Sequence, residues 1–196
     1  MSDHAAFNPD RAHRLNDSRR LETQVSETDL ARLLALHGDE DLLDLGSGTG
    51  FYTDRMAALT TGTVYALELQ TQMNQHYRER GVPADVRLVL GDITRLADLS
   101  LEPASVDVAC SIATWHETGG KVDLPGLIEV LRPHGRLIVI DWRKDPESWE
   151  SGPPEDLRFT KEEAASSLAP YFPSIETENL GRFMFAVVAR RESQPR

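Results

Sequence analysis

The stretch Asp41-Leu42-Leu43-Asp44-Leu45-Gly46-Ser47-Gly48-Thr49-Gly50-Phe51-Tyr52 places three glycines at alternate positions straight after an apolar run. Glycine lets the backbone turn sharply and lets a ligand approach main-chain atoms with no Cβ in the way. A helix opening directly after the loop would offer free N–H groups and a positive dipole end, which favours an anionic group on that ligand. Glu68 follows Gly46 by 22 residues, the distance at which a carboxylate accepts both ribose hydroxyls in a nucleotide-binding αβ unit. A third acid, Asp92 in Gly91-Asp92-Ile93, ends a third apolar run. Alone, a Gly-x-Gly-x-Gly turn is a common structural feature. Three consecutive strands that each end in an acid or a glycine turn define one ligand-binding edge.

Two ligand classes fit poorly. A P-loop needs Gly-x-x-x-x-Gly-Lys-Ser/Thr, and Trp115 stands where the first glycine would precede Gly120-Lys121. A dinucleotide site wants Gly or Ala at position 51, where Phe51 stands. A nicotinamide-dependent oxidoreductase and a non-catalytic binding module remain as alternatives.

The run Asp44-Leu45-Gly46-Ser47-Gly48-Thr49-Gly50 resembles the first motif of class I S-adenosylmethionine-dependent methyltransferases, and the likeness extends over about 150 residues. Glu68 matches the family's ribose-binding acid, Asp92 its adenine-contacting acid, and Leu131-Arg132-Pro133-His134-Gly135-Arg136-Leu137 the turn into its fifth strand. The resemblance implies that Asp44, Gly46, Ser47, Gly48 and Gly50 hold the methionine part of the cofactor. It assigns the ribose to Glu68 with Leu69 beside it, the adenine to Asp92 and Ile93, and a place near the cofactor to Ser111. S-adenosylmethionine is a sulfur cation with a zwitterionic tail, suited to a short loop with an acidic rim. Methyl would pass to a small-molecule acceptor, with release of S-adenosylhomocysteine.

Methyl transfer from a sulfonium proceeds mainly through positioning and desolvation, and a base is needed only where the acceptor must lose a proton. The stretch Ser111-Ile112-Ala113-Thr114-Trp115-His116-Glu117 falls where the family reaches over the reactive methyl. His116 is either that base or a hydrogen-bonded structural histidine. Glu117 either orients it or faces water. Trp115 either walls the pocket or packs in the core. Asp141 either touches the acceptor or pairs with an arginine of the N-terminal segment, and Arg19 and Arg20 either close over the cofactor or stay solvated. Asp141-Trp142-Arg143-Lys144 and Gly152-Pro153-Pro154 resemble small methyltransferases related to the quinone- and arsenite-methylating groups. The lone cysteine, Cys110, makes arsenite an improbable substrate. No metal site is expected, since Gly120 replaces the second histidine of a zinc-helix motif beginning at His116-Glu117.

These residues need a scaffold. The 196 residues suit one compact domain, read as an N-terminal arm with a short helix over 1–25 and a single methyltransferase domain over 26–196. Strands are expected near 41–45, 63–69, 86–90, 105–112, 136–142, 174–180 and 182–190. Helices fall near 51–60, 70–80 and 122–132, with one from Ser26 to Gly38 and one from Thr160. Alternating strands and helices predict an α/β fold in three αβα layers: a doubly wound, mostly parallel seven-stranded sheet whose last strand is antiparallel. The resemblance supplies the order 3-2-1-4-5-7-6. A net charge of −11 disfavours nucleic acid as a partner. One cysteine cannot form an internal disulfide and residues 1–15 hold no apolar stretch of signal-peptide length, so a cytoplasmic protein is expected, as a monomer or homodimer. The longest aliphatic run, Leu137 to Ile140, is too short for a membrane span.

Overall fold

The computed structural model describes residues 7–192. Seven strands, β1 (Leu42–Leu45), β2 (Val64–Glu68), β3 (Val86–Leu90), β4 (Val106–Ile112), β5 (Leu131–Trp142), β6 (Ser174–Leu180) and β7 (Met184–Arg190), form one sheet in the order β3-β2-β1-β4-β5-β7-β6. The β1, β2, β3, β4 and β5 neighbours pair in parallel, and β7 runs antiparallel to β5 and β6. Six helices accompany them: α1 (Arg20–Thr23), α2 (Glu27–Leu34), α3 (Phe51–Ala57), α4 (Thr71–Arg80), α5 (Leu124–Val130) and α6 (Lys161–Leu168). This is the expected doubly wound sheet in the expected order.

Strand alternation divides the core into two layers. Leu42, Val108, Cys110 and Ile138 pack with Leu30, Leu34, Phe51, Met56 and Tyr77 from α2, α3 and α4. Leu43, Ala109, Leu137 and Val139 pack with Leu124, Leu127, Ala164 and Leu168 from α5 and α6 on the other face. Strand order reverses at β1, with β2 on one side and β4 on the other. That reversal opens a crevice beyond the carboxyl ends of the strands.

Three helices end earlier than the sequence reading places them. The helix begun by Ser26, whose side chain accepts the Asp29 N–H, ends at Ala35 rather than Gly38. Ala35 adopts a left-handed conformation at φ 44°, and the Arg136 guanidinium from β5 caps the carbonyls of Leu34 and Ala35. The helix expected over 51–60 stops at Ala57. The one expected over 122–132 stops at Val130, because Leu131 is already extended and pairs with Val106. The β4–β5 register then jumps to Val108 against Arg136, leaving Arg132–Gly135 as an excursion in which His134 has φ 67°. Among the described residues, no helix is long and apolar enough to cross a membrane.

Candidate active site

The crevice at the β1–β4 reversal holds a cavity open to solvent at its mouth, lined by the glycine loop, the residues that follow β2, β3 and β4, and the N-terminal arm. Its floor is the glycine loop. Gly46 and Ser47 both donate their N–H to the Leu67 carbonyl at 2.9 Å, Gly50 donates to the Ser47 carbonyl at 2.9 Å, and Gly48 donates to Glu68 Oε2 at 2.9 Å. These four amides are therefore used within the protein. The loop is not the N–H cradle that glycine spacing alone suggests, and what it turns toward the cavity is bare main chain and acid.

The three glycines serve different neighbours. A Cβ on Gly46 (φ 87°) would collide with Thr114, which follows β4, and one on Gly50 (φ 83°) would enter the Tyr77 ring of α4. Gly48 (φ 56°) lines the cavity, and a Cβ there would meet only the Leu15 side chain at 3.2 Å. The third glycine thus seats the loop on α4.

Asp44, the penultimate residue of β1, is 3 % exposed, with Oδ2 accepting the Thr53 hydroxyl at 2.6 Å. Burial pushes its carboxyl up to about 7, against the pull of the Thr53 hydrogen bond. Glu68 ends β2 at 7 % exposure, its Oε1 accepting the Gln70 N–H at 2.8 Å while Oε2 holds Gly48. Burial raises its pKa too, opposed by those backbone donors. Asp92 follows β3, lines the cavity, and accepts the Thr94 N–H at 2.8 Å and hydroxyl at 2.7 Å through Oδ1, so it also starts the 3-10 turn Ile93–Asp98. Leu69, 48 % exposed, and Ile93 supply apolar walls between these acids. Ser47 and Ser111 are buried with hydroxyls that have no partner among the described residues, though Ser111 lies off the cavity lining.

Beyond β4 the arrangement departs from the sequence reading. Trp115 is wholly buried in the core layer of α5 and α6, not at the cavity wall. His116 is buried behind the lining, with Nδ1 at 2.8 Å from Asp141 Oδ1. Asp141, 1 % exposed, also accepts the N–H groups of His116 (3.1 Å) and Trp142 (2.6 Å). It meets neither the cavity nor an arginine of the arm. Burial works against the imidazolium, but the Asp141 carboxylate outweighs it and raises the His116 pKa. The acid that reaches the cavity is Glu117, next along the same 3-10 turn, Trp115–Thr118. Burial lifts its carboxyl to about 7, partly offset by His116, with Glu68 and Asp141 adding to the rise and the Phe7 N–H lowering it.

The arm covers this space. Phe7 and Leu15 line the cavity, the Phe7 carbonyl accepts from Gln70 Nε2 at 2.9 Å, and Asn16 Oδ1 accepts the Thr49 hydroxyl at 2.8 Å. Arg20 lies over the rings of Phe51 (4.9 Å) and Tyr52 (4.7 Å), donates to the Leu15 carbonyl at 2.6 Å, and reaches the cavity. Arg19 is exposed and pairs with Asp17, so the two arginines have separate places. Phe7, Leu15, Gln70 and Met73 are lining residues that sequence motifs did not single out. The only available signal was apolar residues inside an otherwise polar arm. Among the described residues, no group of three His, Cys, Asp or Glu side chains could hold a metal ion.

A family profile described as a methyltransferase domain matches residues 43–139, which span β1 through most of β5 and include the loop and all three strand-end acids. The chain belongs to the class I S-adenosylmethionine-dependent methyltransferases. Among solved structures, this methyltransferase is similar to a SAM-dependent methyltransferase from Aquifex aeolicus, with 26 % identity, a TM-score of 0.81, and 94 % of this chain and 99 % of the other covered. A putative type 11 methyltransferase from Sulfolobus solfataricus matches at 20 % identity and TM-score 0.69, covering 89 % and 96 %. A Haemonchus contortus phosphoethanolamine N-methyltransferase, solved with phosphomonomethylethanolamine and S-adenosylhomocysteine, matches at 16 % identity and TM-score 0.65, covering 84 % of this chain and 52 % of that one. A search of the curated proteins finds no match.

S-adenosylmethionine is the methyltransferase's cofactor, and the cavity fits it. Buried acids line or adjoin a loop whose amides are already bonded, which suits a ligand carrying a sulfonium and an ammonium better than one carrying phosphates.

Proposed function

We infer that this methyltransferase transfers a methyl group from S-adenosylmethionine to a small-molecule acceptor and releases S-adenosylhomocysteine, acting in the cytoplasm. The supporting observation is the internal bonding of the Gly46, Ser47, Gly48 and Gly50 amides. A pyrophosphate would need those donors; a cationic ligand needs the carboxylates and carbonyls left facing it. The same observation weighs against a nicotinamide cofactor, as does Phe51, buried under Arg20 and Arg55 where a dinucleotide fold packs a small residue.

Roles follow from position. Asp44, Gly46, Ser47, Gly48 and Gly50 hold the methionine end, and Arg20, which bears a cation into that end of the cavity, meets the cofactor carboxylate. Glu68 takes the ribose hydroxyls on lone pairs its two backbone donors leave free. Asp92, Ile93 and Leu69 hold the adenine. Ser111 lies within β4, on the other side of β1 from the adenine end, and backs the lining from within the sheet. His116 and Asp141 act behind the lining, positioning the turn that carries Glu117, and Trp115 anchors that turn in the core. The arm over 1–25 acts as the cover of the 26–196 domain.

Calorimetric titration with S-adenosylhomocysteine tests this reading. Glu68→Ala removes charge-assisted contacts worth about 1.5–3 kcal/mol each, so affinity should fall roughly tenfold or more. Gly48→Arg places a long side chain in the cavity and should abolish binding. Unchanged affinity in both variants, or a larger thermal shift with NADH than with S-adenosylmethionine, would remove the reading.

A further inference from the structure

Among the described residues, three carboxyl groups line the cavity: Glu68, Asp92 and Glu117. Both oxygens of Glu68 hold backbone amides, of Gly48 and Gln70. Asp92 is engaged by Thr94 through its N–H and hydroxyl. Glu117 accepts no hydrogen bond from a side chain among the described residues, and its polar neighbour is the Phe7 N–H of the arm. It stands on the turn directly after Thr114, whose side chain abuts Gly46 at the methionine end of the loop. Glu117 is therefore the lining acid with capacity left for a second ligand, on the turn whose first neighbour, Thr114, adjoins Gly46.

The charge around it selects what that ligand is. Among the described residues the lining has three acids and one base, Arg20, whose guanidinium is stacked on Phe51 and Tyr52 and bonded to Leu15 and Gln24. Carboxylate, phosphate and phenolate acceptors enter such a field at a cost; an ammonium is drawn in. Phe7, Leu15, Met73 and Ile112 give its body an apolar surround.

We propose that the acceptor is a primary or secondary amine and that Glu117 is the catalytic residue that binds its ammonium and takes its proton. This rests on the methyltransferase reading above and adds the acceptor class to it. An ammonium has no lone pair to attack with, so one proton must leave the nitrogen. The nitrogen lone pair then forms a bond to the methyl carbon as the carbon–sulfur bond breaks, and that bond's electron pair stays on sulfur. The proton passes to a Glu117 oxygen and from there to water at the cavity mouth. Burial brings the Glu117 carboxyl up to about 7, closer to the basicity of an amine than an exposed carboxylate stands. The charged groups that face it are His116 on its own turn, Glu68 at the end of β2 and Asp141 at the end of β5.

The test uses the full chain with S-adenosylmethionine and follows S-adenosylhomocysteine release. The probes are benzylamine, N-methylbenzylamine, histamine and ethanolamine beside benzyl alcohol, phenol, benzyl mercaptan and benzoate. Turnover is expected with amines alone. Glu117→Gln should lower it about 100-fold or more, and Glu117→Asp should restore part of the loss. The limb of kcat/KM that rises near pH 7 should vanish in Glu117→Gln, while calorimetric affinity for S-adenosylhomocysteine stays within threefold of wild type. If the protein binds S-adenosylhomocysteine yet methylates only non-amines, or no amine in the panel, the proposal is overturned. Activity in Glu117→Gln within threefold of wild type would overturn it too. Failure to bind S-adenosylhomocysteine at all would instead strike the methyltransferase reading.

Discussion

At Gly50 the backbone sits at φ 83° and the position a Cβ would take is filled by the Tyr77 ring, which is itself fixed by a 2.7 Å hydrogen bond to Asp54. Alanine there meets both a left-handed backbone and an occupied space, so Gly50→Ala should cost roughly 2–4 kcal/mol. Gly181, in the turn between β6 and β7, has φ 56° and nothing within 4 Å of its Cβ position. Gly181→Ala should therefore cost only the backbone part, about 1 kcal/mol. Urea titrations of the two variants measure the difference, and equal losses would mean that Tyr77 is not what demands glycine at position 50. At this scale the sequence was informative about residue types and silent about direction. Asp44, Glu68 and Asp92 were legible because strand ends share one edge of a parallel sheet. Glu117 and Asp141 were not, because neighbours on a 3-10 turn point different ways, and only the turn's packing sends His116 inward toward Asp141 and Glu117 toward the cavity.

Elements were more legible than their ends. Apolar runs marked the inner strands, since a strand buried on both faces must be apolar throughout, and β1 is buried along its whole length, whereas β6 is mostly exposed. Ends depend on partners distant in sequence, as with Arg136 closing α2 from β5. The loop between β5 and α6 shows such a partner more fully. Arg158, almost fully buried, has no carboxylate within ion-pair distance among the described residues. It donates instead to the carbonyls of Pro153 (2.9 Å), Arg143 (3.0 Å), Ser148 (3.0 Å) and Ser151 (2.5 Å). The planar guanidinium serves four carbonyls at once, which an ammonium on a flexible stem cannot do. Gly152, at φ 90°, lets the loop lie against the Trp142 ring. Arg158→Lys should leave buried carbonyls unsatisfied and cost about 1–3 kcal/mol. Hydrogen exchange should accelerate over residues 147–157 and stay unchanged in β1 and β4. Uniform acceleration, or none, would show that Arg158 does not hold this loop.

Across the whole molecule the site is a concentration of buried acid in a chain that already carries a charge of −11. Burial holds the Asp44 and Glu117 carboxyls up to about 7 and raises that of Glu68, from ordinary values of 3.8 for Asp and 4.5 for Glu. Between about pH 4 and pH 7 the ligand-free folded protein thus keeps protons that the unfolded chain has released. A raised pKa contributes stability that is present below the unfolded value and is lost as pH climbs to the folded one. His116, raised by Asp141, acts in the same direction from 6.5 upward. Glu40 runs the other way: its buried carboxyl is opposed by the N–H groups of His37 and Gly38, which leave its pKa lowered, so its contribution is lost only as pH falls below the usual carboxylate range. The ligand-free protein should therefore be most stable on the acid side of neutrality. Urea midpoints followed from pH 5 to pH 8 should fall by more than the equivalent of one pKa unit, about 1.4 kcal/mol. Asp44→Asn, which cannot ionise, should flatten that slope. The sulfonium reverses the preference, because a cation beside these carboxyls favours their charged forms. S-adenosylmethionine should therefore release protons on binding near pH 6.5 and S-adenosylhomocysteine fewer, as calorimetry in buffers of different ionisation enthalpy would register. Midpoints that rise with pH, or equal proton release by the two ligands, would mean that the buried acids are not poised to meet the cofactor's charge.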